Sequence, residues 1–128
     1  MRLSLLISLF AFPAIAQDIG EGEATFLDHC AGCHGVTAMG DGPLAALMTT
    51  PPPDLSQLAL REGGEFPLAR VVQRIDGTTE VQAHGGPMPV FGLLMNGPSV
   101  AMVAPDGSDI IVPEGIAHIA AWLMEIQR

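Results

Sequence analysis

Apolar positions along the chain cluster into stretches separated by long segments rich in glycine and proline. In residues 20–30, Ala24, Phe26, Leu27 and Cys30 recur at helical spacing behind an acidic start, which predicts a helix from Glu21 to Cys30. In residues 66–75, Leu68, Val71, Val72 and Ile75 form one stripe and Arg70 and Arg74 fall on the opposite face. Pro67 suits the first turn of that helix, and Asp76-Gly77 ends it. Residues 99–112 read as two short strands about a Pro-Asp-Gly turn, with a short helix in place of the first strand as the alternative. Glu114–Gln127, entered through Pro113, is helical, with Ile116, Ile119, Ala120, Leu123 and Ile126 as its apolar face. Residues 35–64 and 77–98 are loop, with short helical pieces at Leu44–Met48 and Leu55–Leu60. The pattern is an all-α domain of three main helices at its start, middle and end, with a short β-hairpin insertion near 99–112. Loops this long are uncommon in a compact domain unless they wrap something.

Residues 1–16 stand apart. Arg2 opens them, an apolar run follows from Leu3 to Phe12, and Ala14-Ile15-Ala16 is a small-x-small cleavage signal. The run is too short for a comfortable membrane span. It reads as a secretory signal peptide cleaved before Gln17, with an uncleaved N-terminal anchor as the alternative. Residues 17–128 then form a single exported domain, expected in the periplasm.

Charge narrows the partners. Fourteen acidic residues stand against five arginines and no lysine, a net charge of −9. Nucleic acid and anionic membrane surfaces call for clustered Lys and Arg, so neither is an expected partner. With 48% hydrophobic residues, intrinsic disorder is not expected either. The domain is nonetheless short of core bulk: after the leader its aromatics are Phe26, Phe66, Phe91 and Trp122. Small exported domains compensate with disulfides or a metal. The two cysteines here, Cys30 and Cys33, would close only a trivial loop.

Those cysteines begin Cys30-Ala31-Gly32-Cys33-His34, a C-x-x-C-H sequence and the attachment signature of a c-type haem. Two thiols one helical turn apart can reach both vinyl groups on one porphyrin edge. The following histidine then becomes the proximal iron ligand. A thioredoxin-like dithiol would call for a preceding strand in a βαβ context. A structural zinc site would call for four ligands, and His29 and Cys30 point apart on a helix. Haem also brings the apolar bulk that the aromatic inventory lacks.

Candidates for a second axial ligand are Met39, Met48, Met88, Met95, Met102, Met124, His29, His84 and His118. Met88 lies between Pro87 and Pro89, which stiffen the backbone on both sides. Gly85 and Gly86 before it allow close approach to a flat ring. Met95 and His84 are the rivals in the same loop, and an open site is the remaining alternative. Met48, Met102 and Met124 read as core gap-fillers. His29 and His118 read as surface helix positions, and Trp122 as helix-crossing core. Arg61, Arg70 and Arg74 could reach haem propionates, although for Arg70 and Arg74 a solvated face is the simpler reading.

On these residues the chain resembles a class I c-type cytochrome, a small bacterial monohaem cytochrome c, from Ile19 to Arg128. Gly22 and Phe26 precede Cys30 at steps of four, as in that family's first helix. Ile119 and Trp122 fall in the last helix, where the family packs aliphatic and aromatic residues across the first. The resemblance implies that small Gly22 lets these helices cross closely and that Phe26 fills space beside the haem. The Pro-Met-Pro context of Met88 resembles the family's sixth-ligand loop. Gly40-Asp41-Gly42-Pro43 and Pro51-Pro52-Pro53-Asp54 resemble a bacterial subgroup. The family also implies a loop carbonyl accepting a hydrogen bond from the proximal imidazole, here expected within residues 43–53.

The expected function is a soluble, monomeric electron carrier. One covalently bound haem c is held by Cys30 and Cys33 and ligated by His34 and Met88. With both axial sites filled, no small-molecule substrate reaches the iron, and the protein is not an enzyme. Its partners are a redox donor and acceptor, one of them with a basic docking face. The alternatives are a haem subunit of a larger dehydrogenase or oxidase, with Leu93–Val112 as its interface, and a ligand-binding sensor or peroxidase with an open iron site.

Overall fold

The computed structural model describes residues 17–78, 88–95 and 97–128. The leader reading of residues 1–16, and His84, Gly85, Gly86 and Pro87, lie outside these residues.

Helix α1 spans Ile19–His29. Asp18 caps it, its carboxylate accepting from the Glu21 amide at 3.1 Å and satisfying a donor that a helix start leaves unpaired. At Cys30 the helix loosens, with φ −117° and ψ −33° at the edge of the right-handed helical region, and a one-turn helix, α2, continues over Ala31–His34. Two 3-10 turns follow at Ala45–Leu47 and Leu55–Gln57, the second leading into the one-turn α3, Leu58–Arg61. Helix α4 covers Leu68–Asp76, and its four stripe residues are all buried. Strands β1 (Ser99–Val103) and β2 (Asp109–Pro113) pair antiparallel, with Met102 opposite Ile110. Helix α5 spans Glu114–Glu125. The domain is therefore mostly helical, as expected, with the hairpin rather than a helix at 99–112.

The core lies where α1 crosses α5. Phe26 packs on Trp122 with ring centroids 4.6 Å apart. Phe26, Ile116 and Ile119 are each at most 1% exposed, so each contributes about 1.5–3 kcal/mol of apolar burial. The crossing is close because Gly22 has no side chain: a Cβ there would lie 2.1 Å from the His118 carbonyl oxygen. Helix α4 seals a second side of α5.

The hairpin packs against α5 through one face, burying Met102 and Val112, while Val103 and Ile111 point outward. This segment thus serves the protein's own core on one side and leaves an apolar face on the other. Met124 departs from the core role expected of it: it is 40% exposed, one residue beyond Leu123 and so rotated off the buried face of α5.

Candidate functional site

Cys30, Cys33 and His34 come together within a single helical turn. The amides of Cys33 and His34 both donate to the Cys30 carbonyl, at 3.1 and 2.9 Å. Both cysteines are free thiols, Cys30 buried and Cys33 half-buried. Burial, reinforced by Cys33, pushes the Cys30 thiol up to about 11. At neutral pH it is protonated, the opposite of the thiolate a dithiol oxidoreductase needs. Among the described residues no group of three or more His, Cys, Asp or Glu gathers to hold a metal ion, as a zinc site would require.

His34 is buried. Burial lowers its pKa, and the Pro53 backbone carbonyl partly opposes that by favouring the protonated ring. The ring is thus biased toward the neutral form, which has a lone pair to give to a metal. Nδ1 is buried and has no hydrogen-bond partner among the described residues; the Pro53 backbone is the polar group that acts on the ring. Pro53 lies within the range 43–53 expected to hold an acceptor for the imidazole.

Three local devices carry the chain from His34 to Pro53. The Gly40 amide donates to the His34 carbonyl at 2.7 Å. Gly40 has φ +81°, and a Cβ there would sit 2.3 Å from the Pro52 carbonyl oxygen, so the proline run lies directly on it. Ala38, with φ +59° and no exposed surface, sends its carbonyl to the Leu55 amide at 2.7 Å. A left-handed alanine is uncommon and costs of order 1 kcal/mol, held here by packing on all sides. The Gly40–Pro43 segment also lies on the backbone of the turn, with the Gly42 and Leu44 amides donating to the Cys33 and Gly32 carbonyls.

Met88 is half-buried and packs against the core. The segment after it is anchored to the end of α4: the Phe91 amide donates to the Ile75 carbonyl at 3.0 Å, and Phe91 is buried. Met95 is buried 3.4 Å from where a Gly115 Cβ would lie, so this rival fills the core. Met102 does the same under the hairpin, while Met39 is 40% exposed. Arg70 pairs with Glu62 on the surface, in keeping with its solvated reading. His29 is exposed on α1, and His118 is half-buried on α5. Neither of two surface hollows, one between β1 and α5 and one beside Met95, includes Cys30, Cys33, His34 or Met88.

The donor set fits a haem. Two cysteines that form no disulfide share one turn with a buried imidazole whose pKa burial lowers and whose Nδ1 has no partner among the described residues. The flanking loops carry exposed apolar side chains, Val36, Leu44 and Leu47 among them, suited to an apolar macrocycle.

A family model described as Cytochrome c matches residues 19–127, and the chain belongs to the cytochrome c family. No curated protein and no solved structure matched it. As a member of that family the chain carries covalently attached haem c and works in haem-based electron transfer between redox proteins.

Sequence reading left Pro53 unpicked within its range and missed Ala38. Alanine carries no signal for a left-handed backbone, so only the surrounding fold reveals it.

Proposed function

We propose that the chain is a periplasmic monohaem electron carrier. Cys30 and Cys33 form the two thioethers, and His34 and Met88 are the axial ligands. Haem supplies a one-electron iron couple when bound. The chain's own residues hold and insulate it. His34 presents a neutral nitrogen because burial disfavours the imidazolium. The Pro53 carbonyl orients the ring and strengthens it as a donor. A thioether on the other side raises the potential relative to a second imidazole.

The observation that carries this reading is the buried His34, its Nδ1 left without a partner among the described residues, in one turn with two cysteines that form no disulfide. Met88 is favoured over Met95 because Met95 is spent in the core beside Gly115. Residues 1–16 support export, and the net charge of −9 supports a partner with a basic face. A monomer carrying one haem is the simplest assembly for such a carrier.

Absorption spectra of the haem-loaded protein, oxidised and reduced, with and without CO, test the ligation. The expected result is a low-spin spectrum with the weak far-red band of methionine–iron(III), unchanged by CO. Met88→Ala should keep haem, lower the potential and admit CO. An unchanged spectrum and potential in that variant would remove Met88 from the iron. A wild-type spectrum that shifts with CO would point to an open-site sensor or peroxidase.

A further inference from the structure

Two residues beyond α5 reach back across the molecule to the segment that follows Pro53. The Gln127 side chain accepts from the Ala59 amide at 2.9 Å and donates to the carbonyls of Leu55 and Leu123 at 2.8 and 2.7 Å. Arg128 donates its backbone amide to the Ser56 carbonyl at 3.0 Å and its Nε to the Ser56 hydroxyl at 2.9 Å. Its guanidinium lies 3.6 Å from Asp54. The Asp54 carboxylate in turn accepts from the Ser56 amide and hydroxyl at 2.9 and 2.6 Å. Ser56, at the centre of this network, is only 3% exposed, so its own bonds are shielded from competing water.

The network begins one residue after Pro53. On the other side of that residue, Gly40 receives Pro52 and Pro53 against its backbone. Between them, Leu55 is tied to Ala38. The Pro53 carbonyl is therefore bracketed: the His34 loop holds it from one side, and Gln127 and Arg128 hold it from the other. Neither of these two side chains approaches the proximal imidazole. They act through the backbone that carries its acceptor.

We propose that Gln127 and Arg128 are positioning residues for the proximal ligand: by clamping Asp54–Ala59 they hold the Pro53 carbonyl beside His34, within reach of its buried, otherwise unpartnered Nδ1, and so help set the reduction potential. This rests on the reading of His34 as the proximal ligand. An imidazole whose Nδ1–H is well accepted is the stronger donor and stabilises the ferric iron. Loosening the clamp weakens that donor, so the potential rises.

The test compares haem-loaded Gln127→Met and Arg128→Ala with wild type. Gln127→Met keeps the stem's length and removes its hydrogen bonds. Val112→Ala, a cavity under the distant hairpin, is the control for lost stability alone. Two quantities are read: the potential by equilibrium redox titration, and the exchange of the His34 Nδ1 proton by NMR. The expected result is a higher potential in both clamp variants and proton exchange faster by about tenfold, the factor set by losing one net hydrogen bond. Val112→Ala should move neither. The proposal is overturned if both clamp variants lose stability while potential and exchange match the control.

Should Gln127→Met fail to mature, Arg128→Ala decides, because the Arg128 side chain is 53% exposed and leaves no core cavity. Failure of the underlying reading is separable. If His34 is not on the iron, histidine-labelled wild-type protein shows no paramagnetically shifted His34 resonance, whatever the variants do.

Discussion

The crossing of α1 and α5 makes a sharp claim about one atom. In Gly22→Ala the new Cβ would lie 2.1 Å from the His118 carbonyl oxygen, 2.5 Å from its carbon and 3.1 Å from the Trp122 Cβ. The carbonyl is helix backbone and cannot swing aside, so the helices must part by about 1 Å. A gap of about that size forfeits a quarter to a half of the dispersion between the groups it separates. Those groups include the Phe26–Trp122 stack and the buried Ile119. Overpacking of this kind costs about 3 kcal/mol, and the alanine returns about 1 kcal/mol in helix propensity. The net loss is about 2 kcal/mol, or about 10 °C in melting temperature for a domain of this size. Gly115→Ala is the matched control: it lies in α5, and its Cβ would meet only Met95, the flexible sulfur at 3.4 Å and its Cβ at an ordinary 3.7 Å. It should be neutral or stabilising by up to about 1 kcal/mol. Guanidinium denaturation of the haem-loaded variants, followed by helical ellipticity, measures both. The reasoning fails if Gly22→Ala is as stable as wild type, or shifts in the same direction as Gly115→Ala.

Further outcomes follow from the same structure. Cys30→Ala should yield protein with little bound haem and reduced helix content, because the cofactor completes a core with few aromatics; a full haem-to-protein ratio in that variant would contradict it. The Asp54 carboxyl is held below its usual range by the Ser56 hydroxyl first, with the Ser56 amide and Arg128 adding to it. Asp54→Ala should cost about 1 kcal/mol at neutral pH. Since the folded value is depressed, that stability is present above the unfolded value near 4 and is lost as pH falls through the folded one. Urea midpoints should therefore differ at pH 7 and converge in acid, and a gap that persists there refutes the assignment. Electron-transfer rates with a basic partner should fall as salt rises from about 0.01 to 0.15 M, where the screening length shrinks from about 30 to 8 Å; stopped-flow rates independent of salt would remove charge steering.

Much of this protein is written locally. The C-x-x-C-H turn, the stripe of α4, the face of α5 and the Pro-Asp-Gly turn of the hairpin each depend on residues a few positions apart, and periodicity reads such patterns directly. Composition added the need for a cofactor, because four aromatics could not fill a core by themselves. What pattern could not supply was the identity of facing groups. Pro53 and its neighbours were equivalent in sequence; Gly40 and the Ala38–Leu55 hydrogen bond fix which of them lies against the His34 loop. Met102 and Met124 both read as gap-fillers, yet Met102 is buried while Met124 is exposed. One position along a helix turns a side chain by about 100°, so membership of an apolar helix does not decide which way it faces. The ties from Gln127 and Arg128 to residues 54–59 span some seventy positions, 72 for Gln127 to Leu55. No local preference encodes them, because they exist only once α5 has packed on α1 and brought the two backbones within hydrogen-bond reach.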